Sequence, residues 1–420
     1  MNYIITGGTG FIGTHLTNLI KERQPDAQVY NLDIVKPGTP NPVVKNYKPA
    51  VKEGQTLQST YIECDVRKPI ENLPFTPTSD DIIFNFAAVH RTPGHEDHEY
   101  FETNIRGAEN VIAFAEKYGI KKIVFTSSIA PYGAAEELKK ETTLPTPNTA
   151  YGISKLVAEK IHMMWQNGDA ANRQLTIVRP GVVFGKGENG NFTRLYWAIR
   201  GHKFAYPGRK DTIKACIYVK ELVRFMLWSI SNTDYPDYTD EIEKNNKNTR
   251  VVCSLSAKAN EVEPISPVSE QAPTVATDPT SMQQAASACN SSENIASLKK
   301  SQTDETQNTK PKTQNAHGVQ LYNCCFEPAY TIQHIVESMK KVTGLTMWVP
   351  DIPNWLIMPA AAVIGAMGAP MGICPARVKK LQISTNICGE KLKNSGYQFK
   401  WTFEEALADW FEDNDKKGLQ

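Results

Sequence analysis

Short apolar runs alternate with amphipathic helical stretches along the first half of the chain. The runs fall at residues 3–6, 29–32, 82–88, 122–127 and 175–179. Each is almost continuously apolar, as a strand covered on both faces must be. Helical spacing fills residues 10–23, 100–118 and 150–166. Strand and helix in alternation predict an α/β fold, a doubly wound parallel sheet with helices on both faces. The pattern lapses over residues 234–318, where Ser, Thr, Asn, Gln, Lys, Glu and Pro dominate and aromatic residues are almost lacking. Such a segment cannot bury enough apolar surface to offset its ordering entropy, so a disordered insertion in a surface loop is expected. Patterning resumes with a strand at 319–323, a helix at 331–342 and an amphipathic helix at 401–411.

The first run ends in Thr6-Gly7-Gly8-Thr9-Gly10-Phe11-Ile12-Gly13 and a helix follows. Glycine is needed where a backbone turns sharply and where it must approach a pyrophosphate. The helix start adds free N–H groups and partial positive charge. Asp33 ends the second run, about twenty residues further on, where a carboxylate accepts from ribose hydroxyls and repels a 2′-phosphate. The combination predicts a Rossmann unit that binds NAD in preference to NADP. A second motif, Tyr151-Gly-Ile-Ser-Lys155, sets a phenol and an ammonium four residues apart on one helix face. The ammonium and an oxidised nicotinamide would favour the phenolate, making Tyr151 a base near neutral pH.

The spacing of the first glycine turn resembles the extended short-chain dehydrogenase/reductase family, whose nucleotide-sugar epimerases open with Thr-Gly-Gly-x-Gly-Phe-Ile-Gly. The likeness is strong over residues 1–230 and weaker over 319–412. It implies cofactor contacts from Gly7, Gly10, Phe11, Ile12 and Gly13, from Asp33, from Asp65 and Val66 beside the adenine, and from Ala87 and Ala88. It adds Asn104, Tyr151, Lys155 and Pro180 to that set. Ser128, four residues before Tyr132, takes the place of the family's catalytic Ser or Thr, hydrogen-bonding the substrate oxygen; Ser127 has the weaker claim. For substrate the resemblance implies His90, Ser128, Asn191, Phe192 and Lys214. Three departures matter. Ile129 and Ala130 stand where dehydratases of the family carry an acid pair, which leaves dehydration without its acid and base. Val182 stands where galactose-type epimerases have Asn. Lys214 replaces a common Arg, keeping the charge and losing the fork that grips a diphosphate.

Charge and cysteines narrow the picture. Lys plus Arg is 46 and Asp plus Glu is 45, so no nucleic acid and no anionic membrane is expected as partner. Eight cysteines form no Cys-x-x-Cys pair, which suits reduced thiols in a cytoplasm. The opening residues lack a basic region and a long apolar run, so no signal peptide is expected. The apolar stretch 355–374 is interrupted by Pro359, Gly365, Gly368 and Pro370, and reads as a buried helix and loop rather than a membrane span. The polar loop around His90-Arg91 and His95 lacks helical ligand spacing, so no metal is expected.

The expected organisation is a nucleotide-binding domain over residues 1–180, a smaller substrate lobe from 181–233 and 319–412 whose segments interleave with that domain, and the insertion between them. The expected activity is NAD-dependent 4-epimerisation of a nucleotide-sugar, with Tyr151 as base. A 4-ketoreductase or hydroxysteroid-type dehydrogenase is the alternative on the same scaffold, and an NAD-binding sensor or scaffold is the reading without catalysis. The family often dimerises through helices like 100–118 and 150–166, so a homodimer is expected. Replacing residues 240–315 by a short Gly/Ser linker should leave thermal stability and activity intact. A collapse of either would show that the segment packs on the core.

Overall fold

The structure, a computed structural model, describes residues 1–39, 57–90, 95–231, 318–359 and 382–420. The expected insertion therefore lies outside the described residues, except that Gly318 opens a strand, and so does most of the stretch 355–374.

The strands are β1 (Asn2–Thr6), β2 (Gln28–Asp33), β3 (Thr60–Glu63), β4 (Ile82–Asn85), β5 (Lys122–Thr126), β6 (Ala135–Lys139), β7 (Gln174–Pro180), β8 (Val182–Phe184), β9 (Tyr206–Pro207), β10 (Ile213–Lys214), β11 (Cys216–Tyr218), β12 (Gly318–Cys324), β13 (Tyr330–Thr331), β14 (Asp351–Ile352) and β15 (Thr385–Ile387). The helices are α1 (Phe11–Arg23), α2 (Asp97–Tyr100), α3 (Arg106–Tyr118), α4 (Ala150–Gly168), α5 (Asn191–Arg200), α6 (Val219–Ile230), α7 (Ile332–Thr343), α8 (Glu390–Lys393) and α9 (Phe403–Asp413). A π-helical turn, Phe101–Ile105, joins α2 to α3.

Seven strands form one sheet in the order β12-β7-β5-β4-β1-β2-β3, and every pairing in it is parallel. The order reverses between β1 and β4, the switch point where such sheets open a crevice at their carboxyl ends. Alternate residues along each strand feed opposite layers. Tyr3, Ile5, Phe84, Val124 and Val178 pack with Leu16 and Ile20 of α1 and with α6. Ile4, Ile83, Ile123, Phe125, Leu175 and Ile177 pack with Val111, Phe114 and Ala115 of α3 and with Ala158 and Trp165 of α4. Two-sided burial explains the unbroken apolar runs.

Two segments expected in the smaller lobe belong to this sheet. β12 continues it beyond β7, with Val319 opposite Leu175, and α6 covers one face. What remains has its own core, in which Phe184, Phe192, Tyr218, Phe326, Phe403 and Trp410 pack together. Short sheets, β13-β10-β15-β6 among them, surround it. No described helix is long and apolar enough to cross a membrane.

α4 buries polar side chains that the strand pattern cannot explain. His162 is fully buried, stacked on Phe125 with ring centres 4.1 Å apart. Its Nδ1 lies 2.7 Å from the Ala158 carbonyl and its Nε2 lies 3.2 Å from Asn85 Nδ2. Burial pushes its pKa down from 6.5 to about 4. The unfolded chain therefore takes up a proton, as pH falls from 6.5, that the folded chain refuses until about 4. The stability present above pH 6.5 should fall by about 3 kcal/mol by pH 4 on this account. Denaturant unfolding at several pH values checks it: His162→Gln should flatten the slope, and equal slopes in both proteins would remove His162 from this role.

Candidate active site

The glycine turn runs from the end of β1 into α1, and its four glycines have different reasons. Gly7 has φ +69°, and a Cβ there would lie 2.7 Å from the Ala87 nitrogen. At Gly8 a Cβ would strike the Asn31 side chain, and at Gly13 it would strike the Gly8 carbonyl oxygen. Those three serve the protein's own packing. A Cβ at Gly10 would meet only the Gly7 carbonyl oxygen, at 3.2 Å. The chain itself gives little reason for glycine there, whereas a ligand laid against the turn does. Gly10 is also the N-cap of α1, with no side-chain cap and no acidic residue in the first turn. Its N–H groups and dipole are thus available to a phosphate. Phe11 and Ile12 begin the helix, packed at the edge of the second lobe's core.

Asp33 closes β2 beside this turn. Its Oδ2 accepts from the Thr9 N–H at 3.1 Å and its Oδ1 from the Val35 N–H at 3.0 Å. Burial pushes its carboxyl pKa up, against the pull of these hydrogen bonds. The carboxylate is fixed in place at the spot expected of a ribose acceptor. Asp65 is engaged differently from expectation: Arg67 binds it through Nε at 2.9 Å and Nη2 at 2.7 Å and holds its pKa down. Val66 is buried and would touch any Cβ added at Gly107 of α3. An open groove of about 500 Å³ lined by Arg67, Phe101 and Ile105 borders that corner.

Ala87 and Ala88 follow β4, where Phe86 N–H extends the ladder to the Thr6 carbonyl. His90 is exposed and ends that described stretch, and Arg91 lies outside the described residues. Asn104 departs from expectation. It lies in the π-turn, accepts from Val89 N–H at 2.8 Å, and donates to Val89 O at 3.1 Å and to Ser154 Oγ at 2.9 Å. Both amide hydrogens and one acceptor site of Oδ1 go to protein groups, so it clamps the loop after β4 to α4.

At the carboxyl end of β5, Ser128 stands beside Tyr151 and pulls its phenol pKa down, and Ser128 Oγ accepts from Ala130 N–H at 3.1 Å. Lys155 is buried one turn along from Tyr151, with Nζ 4.4 Å from the Phe125 ring centre. Burial pushes the Lys155 pKa down to about 7, with the Glu159 charge opposing. Burial also pushes the Tyr151 phenol up, and only the Ser128 hydrogen bond pulls it down. The expected phenolate called on a bound nicotinamide as well as Lys155; in the protein by itself desolvation wins. Pro180, the last residue of β7, accepts from Ile129 N–H and so anchors the Ser128 loop.

The expected substrate residues of the second lobe are not gathered there. Asn191 is exposed and its Oδ1 accepts from Arg194 at 2.7 Å. Phe192 is a core residue, its ring centre 4.8 Å from that of Phe184. Lys214 Nζ donates to the Ile383 carbonyl at 2.6 Å, so one of its donors ties β10 to the chain beyond it. The structure adds residues that the spacing did not show. Tyr100 is buried with its ring centre 6.0 Å from that of Tyr151, and His95 packs edge-on against Tyr100. Asn85 accepts from the Thr6 hydroxyl at 2.8 Å and joins the glycine turn to α4 through His162. Glu159, one turn beyond Lys155, was visible only as a further polar residue on that helix face.

Residues 3–240 match the family described as NAD dependent epimerase/dehydratase. The chain belongs to that family. Its cofactor is NAD, and the glycine turn, the open α1 N-terminus and Asp33 fit it. A relative from Escherichia coli O157:H7, N-acetyl-alpha-D-glucosaminyl-diphospho-ditrans,octacis-undecaprenol 4-epimerase, is 32% identical over 55% of this chain and 63% of its own length. A UDP-glucose 4-epimerase from Halalkalibacterium halodurans is 29% identical over 45% of this chain and 53% of its own. A 3-beta-hydroxysteroid dehydrogenase from Mycolicibacterium neoaurum is 25% identical over 52% and 58%. The chain thus spans between half and two thirds of the length of these curated relatives. Among solved structures, a UDP-N-acetylglucosamine 4-epimerase from Methanobrevibacter ruminantium M1 is similar in fold, with a TM-score of 0.57 at 18% identity over 98% of each chain.

The glycine turn yields a paired test. Gly10→Val should stay within about 5 °C of the wild-type Tm and weaken NADH binding at least about tenfold in a fluorescence titration. Gly7→Val should instead lose the fold, because its Cβ strikes backbone. A Gly10→Val protein that binds NADH like the wild type would refute the reading of the turn.

Proposed function

We propose that this epimerase/dehydratase-family protein catalyses NAD-dependent 4-epimerisation of a sugar carried on a diphosphate, with Tyr151 as the proton-transfer group. The observation that carries this reading is the placement of Ser128 beside Tyr151 at the carboxyl end of the sheet, where it favours the phenolate, with Lys155 buried one turn along the same helix. A pure NAD-binding scaffold needs no such set. Bound NAD supplies a hydride acceptor and a fixed positive charge. Ser128 donates to the substrate oxygen and holds it against the phenol. Tyr151 takes the hydroxyl proton as the C4–H bond is broken and returns it when the keto sugar is reduced on its other face. The Lys155 ammonium favours the phenolate while the proton is held there. The proteins that share this chain's similarity act, by their names, on a UDP-sugar in one case and on a polyprenyl diphosphate sugar in another. The common element is the sugar diphosphate, and a nucleotide-sugar is the substrate we propose.

A hydroxysteroid-type dehydrogenase is the second reading, favoured by the steroid dehydrogenase among the relatives. Exchange of the cofactor separates the two, since an epimerase recycles NAD in place. We also propose that the protein acts in the cytoplasm as a homodimer. Ile153, Val157 and Met164, exposed along α4, give that helix an outer apolar face suited to a second copy.

The test is a panel of UDP-, GDP- and dTDP-sugars and a polyprenyl diphosphate N-acetylglucosamine, with products followed by NMR. Tyr151→Phe should keep NAD bound and lose at least 10² to 10⁴-fold in turnover, on the order expected for a general base. Retention of more than about a tenth of the wild-type rate would sink the assignment.

A further inference from the structure

Behind the Ser128–Tyr151 pair lies a second ionic group that the proton transfer itself does not call on. Glu159 is fully buried on α4, one turn beyond Lys155 and on the same face. Its Oε1 accepts from the Ser127 hydroxyl at 2.5 Å and from Arg179 Nε at 2.8 Å, and its Oε2 accepts from Arg179 Nη2 at 2.5 Å. Arg179 comes from β7 and lies over the Tyr132 ring, 4.7 Å from its centre. The Tyr132 hydroxyl donates to Asn323 Oδ1 of β12 at 2.8 Å. One carboxylate thus joins the serine next to Ser128, the strand that ends at Pro180 and the helix that carries Tyr151.

Stability alone is a weak reason for such a pair. Two desolvated charges roughly cancel their own attraction, and apolar residues of equal volume often hold a fold as well. The charge itself has a use here. Lys155 is buried one helical turn from Glu159 and one from Tyr151 on α4, with His162 on the same helix and the Phe125 ring on β5 near it. Tyr100 lies beyond Tyr151, and Arg179 lies behind Glu159. Tyr151 is held as a neutral phenol and His162 as a neutral imidazole by burial. Glu159 is the anion that acts on Lys155, and its carboxylate, not the Arg179 cation, is the end of the pair that Lys155 feels.

We propose that Glu159 is a positioning residue: its carboxylate, oriented by Arg179 and Ser127, favours the charged form of Lys155 against burial and locks the Ser127–Ser128 loop to the helix that bears Tyr151. Burial works against the charged lysine and Glu159 works for it. A larger fraction of the lysine is then charged near neutral pH, and that fraction can act on the Tyr151 phenol as a cation. The role of Lys155 toward Tyr151 rests on the reading under Proposed function; the charge state of Lys155 does not.

The test reads that charge state directly, in the full-length protein without substrate. The Lys155 signal of protein labelled with [ε-¹³C]lysine, assigned by its loss in Lys155→Arg, is followed by NMR from pH 5 to 11. Glu159→Gln should lower the Lys155 midpoint by at least about one pH unit. Because that variant strands Arg179 and can misfold, Glu159→Gln/Arg179→Met is measured beside it. The double variant removes the pair as a unit, and it should lower the midpoint by a similar amount. Glu159→Asp keeps the charge and should stay near the wild type. If Glu159 were only structural, the folded double variant would titrate like the wild type, within about 0.3 pH unit, and that result would overturn the proposal. If Lys155 moves as expected while Tyr151→Phe still turns over, the proposed function fails and the role of Glu159 on Lys155 stands.

Discussion

The backbone of Gly7 lies directly against the backbone of Ala87, with room for no Cβ between them. That contact brings the end of β1 and the end of β4 together at the point where the strand order reverses. It is held from below by a polar chain. The Thr6 hydroxyl donates to Asn85, and the Asn85 amide meets His162 on α4. The helix that presents Tyr151 and Lys155 is therefore referenced to the glycine turn by hydrogen bonds as well as by packing. Any set of groups that must face a cofactor within a fraction of an ångström needs such fixing.

Much of the cost of this arrangement is concentrated in α4. One face of this helix buries Ser154, Lys155, Glu159 and His162. Each would be destabilising alone, and three have partners that limit the damage: Asn104 for Ser154, Ser127 and Arg179 for Glu159, and the Ala158 carbonyl for His162. Lys155 is the exception, since its ammonium faces an aromatic ring and its countercharge stands a helical turn away. A group left partly uncompensated in this way is poised to change its charge near neutral pH, and such groups concentrate where proton chemistry is done.

How far this was legible in the sequence depends on what kind of fact is asked for. The strand runs follow from two-sided burial, and the helices from their spacing, so the sheet and its layers could be read directly. The glycine turn could be read from its setting between a strand and a helix, whereas Tyr151-x-x-x-Lys155 is a spacing common on helices and stood out only by its place after the Ser127-Ser128 strand end. Hydrogen-bond satisfaction could not. Asn104 and Asp65 have the right chemistry for a ligand, yet Val89 and Ser154 take both amide hydrogens of the one and Arg67 engages the other. Phe192 has the right position but turns into the aromatic core. The return of the chain at Gly318 into the main sheet was equally hidden, because a parallel edge strand looks the same in either lobe.

Ser127 and Ser128 show the limit most clearly. They are chemically identical neighbours at the end of one strand. Successive side chains of an extended chain point to opposite sides. One hydroxyl therefore falls on the buried side, where it is bound by Glu159, and the other meets Tyr151 at the crevice. Sequence alone offers two candidates for one task. The pleat assigns them different tasks, and Glu159 is the reason that the inward one is more than filler: a hydroxyl donated to the carboxylate fixes which way the carboxylate faces, and hence where its charge is felt.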